Sequence, residues 1–227
     1  PDPLGFYLSG LPFGPWRDDV RDLVGSDLGS VEKIWSSSNS GGGGGNGGEK
    51  RWRPEVPTVL AGQVVGVRRK GESQIFIQLE DGRGRVECSA FSDAMAEFGH
   101  LMTKDRILVV KGGLREDEFN GGYALRIRQC WDYEQICAEN AQRLMLRLDL
   151  RGERAWPRIE ALLARHRPGR TPLRLDLLLK GPQGGVAGML DVSGQSAVRI
   201  DSKLMEALRA DPAVRTLKVR YSPPWAN

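Results

Sequence analysis

The chain is poor in the residues that metal sites, disulfide frameworks and membrane spans require. Its 227 residues include three cysteines (Cys88, Cys130, Cys137) and two histidines (His100, His166), and no spacing among them matches a zinc site. Cys88 and Cys130 fall in strand-like runs, where a thiol behaves as a small buried apolar group. An odd count without a framework suits a reducing compartment, so a cytoplasmic location is expected. No apolar run approaches the ~18 residues that span a membrane, and no secretory signal opens the chain, so no membrane partner is expected. The first residue is Pro rather than Met, which fits a fragment of a longer protein.

What is present is charge, unevenly placed. Residues 1–57 hold six basic and eight acidic side chains, 58–142 hold eleven and thirteen, and 143–227 hold sixteen and eight, giving −2, −2 and +8. A basic last third suits nucleic acid or an acidic protein surface, or is simply a solvated charged face.

Residues 58–131 carry the most regular pattern. Thr58–Lys70, Gln74–Asp81 and Arg85–Phe91 read as strands, Ser92–Met102 as a helix, and Arg106–Leu114 and Tyr123–Trp131 as two more strands. That order predicts an OB-fold, a small Greek-key barrel that binds oligonucleotides on the face of its second and third strands. Gly-containing stretches at 70–73, 81–84 and 120–122 supply the hairpin turns. In the second strand Ile75, Ile77 and Leu79 face inward, and Phe76, Gln78 and Glu80 outward. In the third, Val86, Cys88 and Ala90 face inward, leaving Arg85, Glu87, Ser89 and Phe91 outward. Met95, Phe98, Leu101 and Met102 are expected to plug the barrel's end.

Before the barrel, residues 1–35 close a helical region with Trp16, Val20, Leu23 and Val24 on one face, and 36–57 form a Gly/Ser-rich linker. The tract SSSNSGGGGGNGG lacks the spacing and Lys–Ser/Thr ending of a phosphate loop. After the barrel, 132–142 read as a connecting helix. Residues 143–227 then follow a βαββαβ order: strands at 144–150, 173–179, 186–192 and 217–221, helices at 153–166 and 202–210. The expectation is a small ferredoxin-like two-layer α/β domain, a scaffold that hosts many functions. Trp156, Ile159, Leu162 and Leu163 follow core spacing.

LGFYLSGLP (Leu4–Pro12), VLAGQVVGVR (Val59–Arg68), IFIQLEDGRGRVECSAFSDA (Ile75–Ala94), KDRILVVKG (Lys104–Gly112) and FNGGYALRIRQCWDYEQ (Phe119–Gln135) resemble the C-terminal region of the alpha subunit of bacterial DNA polymerase III. The remainder, with PLRLDLLLKG (Pro172–Gly181), is similar to that family's C-terminal domain. Two features depart from the family: Leu11 stands where it carries a His, and the Gly-rich tract at 41–48 is longer. The resemblance implies single-stranded template binding by the barrel and binding of the clamp-loader tau subunit by the last domain. It also implies a sliding clamp as a partner of the full-length protein. The whole would be a DNA-directed DNA polymerase whose magnesium-chelating carboxylates lie outside this chain, so no cofactor and no catalytic residue are expected here. Asp18–Asp19 and Glu116–Asp117–Glu118 read as solvated charge. QRLML (Gln142–Leu146) lacks the terminal aromatic of a clamp motif.

Candidate nucleic-acid contacts are Phe76 and Phe91 as stacking platforms. Around them Arg68, Arg69 and Lys70 sit at the first hairpin, Arg83 and Arg85 at the second, and Arg126 and Arg128 on strand five. Candidate partner contacts are Arg154, Arg158, Arg165 and Trp225. Two other readings stay open: a tRNA anticodon-binding barrel, and a pure protein-interaction module.

Overall fold

The structure, a computed structural model, describes residues 17–39, 55–117, 121–152, 154–181 and 184–226. It divides between Tyr133 and Glu134 into two compact units, each with its own sheet. Leu4–Pro12, Trp16, Phe119 and the glycine run at 41–48 lie outside the described residues.

In the first unit β1 (Val56–Lys70), β2 (Gln74–Glu80), β3 (Arg85–Phe91), β4 (Ile107–Glu116) and β5 (Tyr123–Asp132) close a barrel in the order β1-β2-β3-β5-β4. Neighbours are antiparallel except β3 and β5, which pair in parallel at 87–89 and 124–126. This is the expected OB-fold. Ile75, Ile77 and Leu79 are buried together with Val86, Cys88, Leu108, Leu114 and Leu125, because period-two alternation sends one set of side chains into the lumen. Helix α3 (Ser92–Phe98) is shorter than the expected 92–102: it stops at Gly99, whose N–H still bonds the Met95 carbonyl. Met102 beyond it is buried, with Met95, Phe98 and Leu101 packed around the same core. Cys88 and Cys130 are buried as read, and Cys137 is buried as well; burial pushes Cys130 up to about 12 and Cys88 higher still.

The segment ahead of the barrel proves to be part of its core. After α1 (Arg17–Val24), a single 3-10 turn at Leu28–Ser30 leads into α2 (Val31–Asn39), and Leu28, Val31 and Trp35 join the barrel's cluster. Ser36–Asn39, read as linker, continue α2 instead. The Ser36 and Ser37 hydroxyls donate to the Glu32 and Ile34 carbonyls one turn back, so these serines are satisfied within the helix. The buried Asp81 carboxylate in the β2–β3 turn fastens this segment, accepting the N–H groups of Leu28 (2.8 Å), Arg83 (2.8 Å) and Gly84 (2.9 Å). Only glycine fits at 84: a Cβ there would lie 2.6 Å from the Leu28 carbonyl carbon.

In the second unit α4 (Tyr133–Asn140, whose first residue belongs to the other unit) precedes β6 (Ala141–Asp149), α5 (Ala155–Ala164), β7 (Leu173–Gly181), β8 (Gly184–Val192), α6 (Ser202–Ala210) and β9 (Val214–Tyr221). The element order is the expected βαββαβ. Its sheet order, β8-β7-β6-β9, refines the ferredoxin-like expectation. In a split βαβ a strand is threaded between the two parallel ones. Here β6 and β7 pair directly in parallel, and the hairpin strand β8 takes the edge. Leu144, Leu146, Leu148, Leu173 and Leu175 form the core with Ile159 and Leu163 of α5 and Leu204, Met205 and Leu208 of α6. β8 is exposed at every position from 184 to 191. Trp156, expected in the core, is 38% exposed: the inward stripe is Ala155, Ile159 and Leu163, four residues apart, and Trp156 points about 100° away from Ala155.

Asp149, at the end of β6, accepts from Arg151 Nε (2.9 Å) and Nη2 (2.7 Å) and from Arg215 Nη2 (2.9 Å). These bonds hold its carboxyl far below the usual carboxylate range.

Two outcomes follow for stability. Gly84→Ala should destabilise the first unit by about 1–3 kcal/mol through overpacking, read as a lower urea midpoint at unchanged m-value; an unchanged midpoint would mean Leu28 does not seat there. Asp149 titrates lower when folded than unfolded, so its stabilisation is complete above the ordinary Asp value of about 4 and fades as pH falls through the folded value. The melting-temperature gap between wild type and Asp149→Asn should therefore stay level from neutral pH down to about 5 and narrow below about 4.

Candidate nucleic-acid interface

The outer face of β2 and β3 assembles four side chains into one row. Register pairs Arg68 of β1 with Phe76 of β2, Phe76 with Ser89 of β3, and Ser89 with Arg126 of β5. The Arg68 guanidinium carbon lies 4.3 Å from the Phe76 ring centroid, and that of Arg126 lies 5.4 Å from the Phe91 centroid. The two phenyl rings meet edge to face at 6.1 Å and 82°. Both rings are half-buried, each with a cation over it, an arrangement worth about 0.5–1 kcal/mol per pair where solvent reaches it. What remains open is a strip across four strands in which a guanidinium flanks an aromatic pair on each side, offering both a stacking plane for a base and donors for a phosphate.

Backbone constraints put these groups together. β5 reaches β3 because β4 and β5 shift register between Lys111 and Gly112, where a side chain on Gly112 would run into the Arg126 carbonyl. Ser89 was expected to point outward, and its register is the outward one. It is nonetheless buried at 5% exposure, because Phe76, Arg126 and Phe91 occupy the positions around it, and its hydroxyl has no hydrogen-bond partner among the described residues.

The remaining candidates separate. Arg69 and Lys70 are exposed at the end of β1 beside Arg68; Lys70 shares the parity of Arg68, whereas Arg69 pairs with Ile75 and takes the opposite parity. Arg83 bonds Asp27 at 3.0 Å, a carboxyl lowered first by the Ser30 hydroxyl and then by Arg83 against the cost of burial. Arg85 turns to Glu80, its Nε at 2.9 Å. Arg128 pairs with Glu55 at 2.8 Å and lines a separate hollow with Pro57, Lys111 and Gln129. Arg83, Arg85 and Arg128 are thus engaged in holding the barrel. One carboxylate stays in the strip: Glu87, 3.8 Å from Arg68, which reduces the local positive charge. Sequence reasoning placed Ser89 and Glu87 on this outward face but did not name either among the candidate contacts; their outward parity was the available signal.

In the second unit the partner candidates are scattered. Arg154 is the left-handed residue (φ 60°) before α5. Arg158 grips Asp211 with two bonds of 3.0 Å, which hold that carboxyl low. Arg165 is exposed at the end of α5. Trp225, a candidate partner contact, is half-buried, and Pro223 two residues before it is buried. Among the described residues no group of three His, Cys, Asp or Glu converges to hold a metal, and no helix is long and apolar enough to cross a membrane.

Comparison with known proteins agrees with this geometry. Residues 58–133 match a family described as an OB-fold nucleic acid binding domain. A DNA polymerase III subunit alpha of Xylella fastidiosa is 64% identical over 227 residues, covering 99% of this chain and 19% of the relative. One from Pseudomonas aeruginosa is 29% identical over 183 residues, 77% of this chain and 14% of that protein. The chain thus spans about a fifth of the length of the Xylella relative it matches. An asparaginyl-tRNA synthetase structure from Pyrococcus horikoshii is similar over 35% of this chain and 19% of its own, at 21% identity and a TM-score of 0.32, too slight a likeness to argue from.

Proposed function

We propose, for a chain homologous along almost its whole length to one stretch of bacterial DNA polymerase III alpha subunits, that it is the C-terminal part of a replicative, cytoplasmic polymerase and handles its single-stranded template. The observation that carries this reading is the strip Arg68–Phe76–Phe91–Arg126, with cations stacked on rings across the strands that OB-folds use for oligonucleotides. Phe76 and Phe91 take successive bases, Arg68, Arg69, Lys70 and Arg126 take phosphates, and Ser89 donates to whichever group displaces its cover. With Glu87 inside the strip and three other arginines tied to carboxylates, intrinsic affinity is modest and strongly salt-dependent. Tethering to a polymerase that already holds the template compensates, since effective concentration then replaces affinity.

The second unit is proposed to bind the clamp-loader tau subunit, with Arg154, Arg165 and the half-buried Trp225 as contacts. Arg158 is instead a structural residue through its clasp on Asp211. The full-length protein would carry out DNA-templated DNA synthesis and engage the sliding clamp. Its magnesium would be held by carboxylates outside this chain, whose own described carboxylates do not converge.

Two measurements test this. In fluorescence anisotropy with labelled oligo-dT, Phe76→Ala should weaken binding by about tenfold, the loss of one base stack of roughly 1–3 kcal/mol. Arg68→Glu/Arg69→Glu should weaken it further and flatten the salt dependence. Equal binding by all three proteins, or none by any, would make the barrel a protein-interaction module. In pull-downs with tau, Arg154→Glu/Arg165→Glu should lose capture while binding oligo-dT as wild type does; undiminished capture would remove those residues from the interface.

A further inference from the structure

The sheet of the second unit has α5 and α6 on one face, and the opposite face is a basic platform. The apolar alternate residues of β6 and β7 are buried, as are the inward residues of α5 and α6, so the other alternate set projects from the face away from these two helices. Register fixes its members. On β6 and β9, Arg143 stands beside Arg220, Met145 beside Lys218, and Arg147 beside Thr216. On β7 and β8, Arg174 stands beside Asp191, Asp176 beside Met189, and Lys180 beside Gly185. Six basic side chains thus share this face with two carboxylates.

The carboxylates neutralise little of it. Asp191 pairs at 3.5 Å with Arg143. Asp176 adjoins Arg147 in register but forms no ion pair with it among the described residues. The Arg174 guanidinium lies against the Met189 sulfur. Arg147, Lys180, Lys218 and Arg220 are all exposed and have no ion-pair partner among the described residues. Three of these four lie in a row on β6 and β9: at a strand spacing of about 4.8 Å and a rise of about 3.3 Å, the Lys218 backbone stands about 7 Å from Arg220 and about 8 Å from Arg147, close to the spacing of successive phosphates.

We infer that this open face binds the phosphodiester backbone of nucleic acid, independently of the barrel. Charge complementarity decides the ligand class. A face with several uncompensated cations gains by displacing counterions from a polyanion. It carries no Phe, Tyr or Trp, so it offers no stacking plane to a base, and recognition is of backbone alone. An acidic protein partner would be expected to anchor on buried aromatics, and the free cations of β6 and β9 have none beside them. The chain's other unit matches a family described as an OB-fold nucleic acid binding domain; resting on the template binding proposed for it, a strand held there is tethered to the same chain, which raises its effective concentration at this face.

The test uses the whole chain carrying Phe76→Ala/Arg68→Glu/Arg69→Glu, so that binding through the barrel is suppressed. Anisotropy with labelled oligo-dT and with labelled duplex at low salt should still detect binding. Adding Arg147→Glu/Lys218→Glu/Arg220→Glu should weaken it at least tenfold and reduce the salt slope for oligo-dT by about two, at ~0.7 per lost phosphate contact. Lys104→Glu/Arg170→Glu/Lys203→Glu, with the same change in net charge at exposed positions off this face, should leave affinity nearly intact; circular dichroism confirms folding of every variant. Tighter binding of oligo-dT or of duplex identifies the strand form as the source, and either supports the inference. It is overturned if the barrel variant binds neither DNA, if the triple reversal changes nothing, if the control reversal matches it, or if poly-L-glutamate rather than DNA is the ligand lost.

Discussion

The short parallel pairing between β3 and β5 is the constraint on which the first unit's chemistry rests. Antiparallel neighbours come readily from hairpins, but a parallel contact between strands separated by a helix and another strand has to be built by closing the barrel. That closure takes Arg126, at the far end of the barrel sequence, and seats it beside Ser89, next to the Phe91 ring and in line with Phe76 and Arg68. Without it the outer face of β2 and β3 would hold two phenyl rings and one arginine. With it, a cation flanks the aromatic pair on each side. The break in the β4–β5 register at Gly112 belongs to the same device, because it lets β5 lean toward β3 while still pairing with β4.

Much of this barrel was legible in the sequence because its signals are local. Ile75, Ile77 and Leu79 alternate, glycine-bearing turns separate the runs, and a helical stretch interrupts them where an OB-fold has its plug. What escaped was non-local. Asp81–Gly82–Arg83–Gly84 read as an ordinary hairpin turn, yet its carboxylate is buried and satisfied by the Leu28 N–H, 53 residues away. Arg83 and Arg128 looked like free cations on a binding rim, but their partners Asp27 and Glu55 lie 56 and 73 positions earlier. Pattern reading gives the face on which a side chain emerges, not what else arrives there. Ser89 illustrates the same limit: parity put it outside, and its larger neighbours cover it.

The second unit was legible as an element order and ambiguous as a topology. The run βαββαβ is compatible with a hairpin strand threaded between the parallel pair or placed outside it, and sequence periodicity is the same in both cases. The observed edge position of β8 leaves Val186, Met189 and Leu190 uncovered, and Trp156 outside the core stripe of α5. Helix periodicity over Trp156, Ile159, Leu162 and Leu163 fitted either stripe; the choice of Ala155 over Trp156 is made by which side of α5 meets the sheet.

The seating of Leu28, Val31 and Trp35 in the barrel core bears on how such a module can be inherited. The stretch recognisable as an OB-fold begins at residue 58, but the residues that cap it are drawn from a polypeptide segment well upstream. A gene fusion cut at the recognisable boundary would expose apolar surface and leave a buried carboxylate without its Leu28 donor. Recombination of this barrel into other proteins is therefore constrained to breakpoints ahead of Leu28.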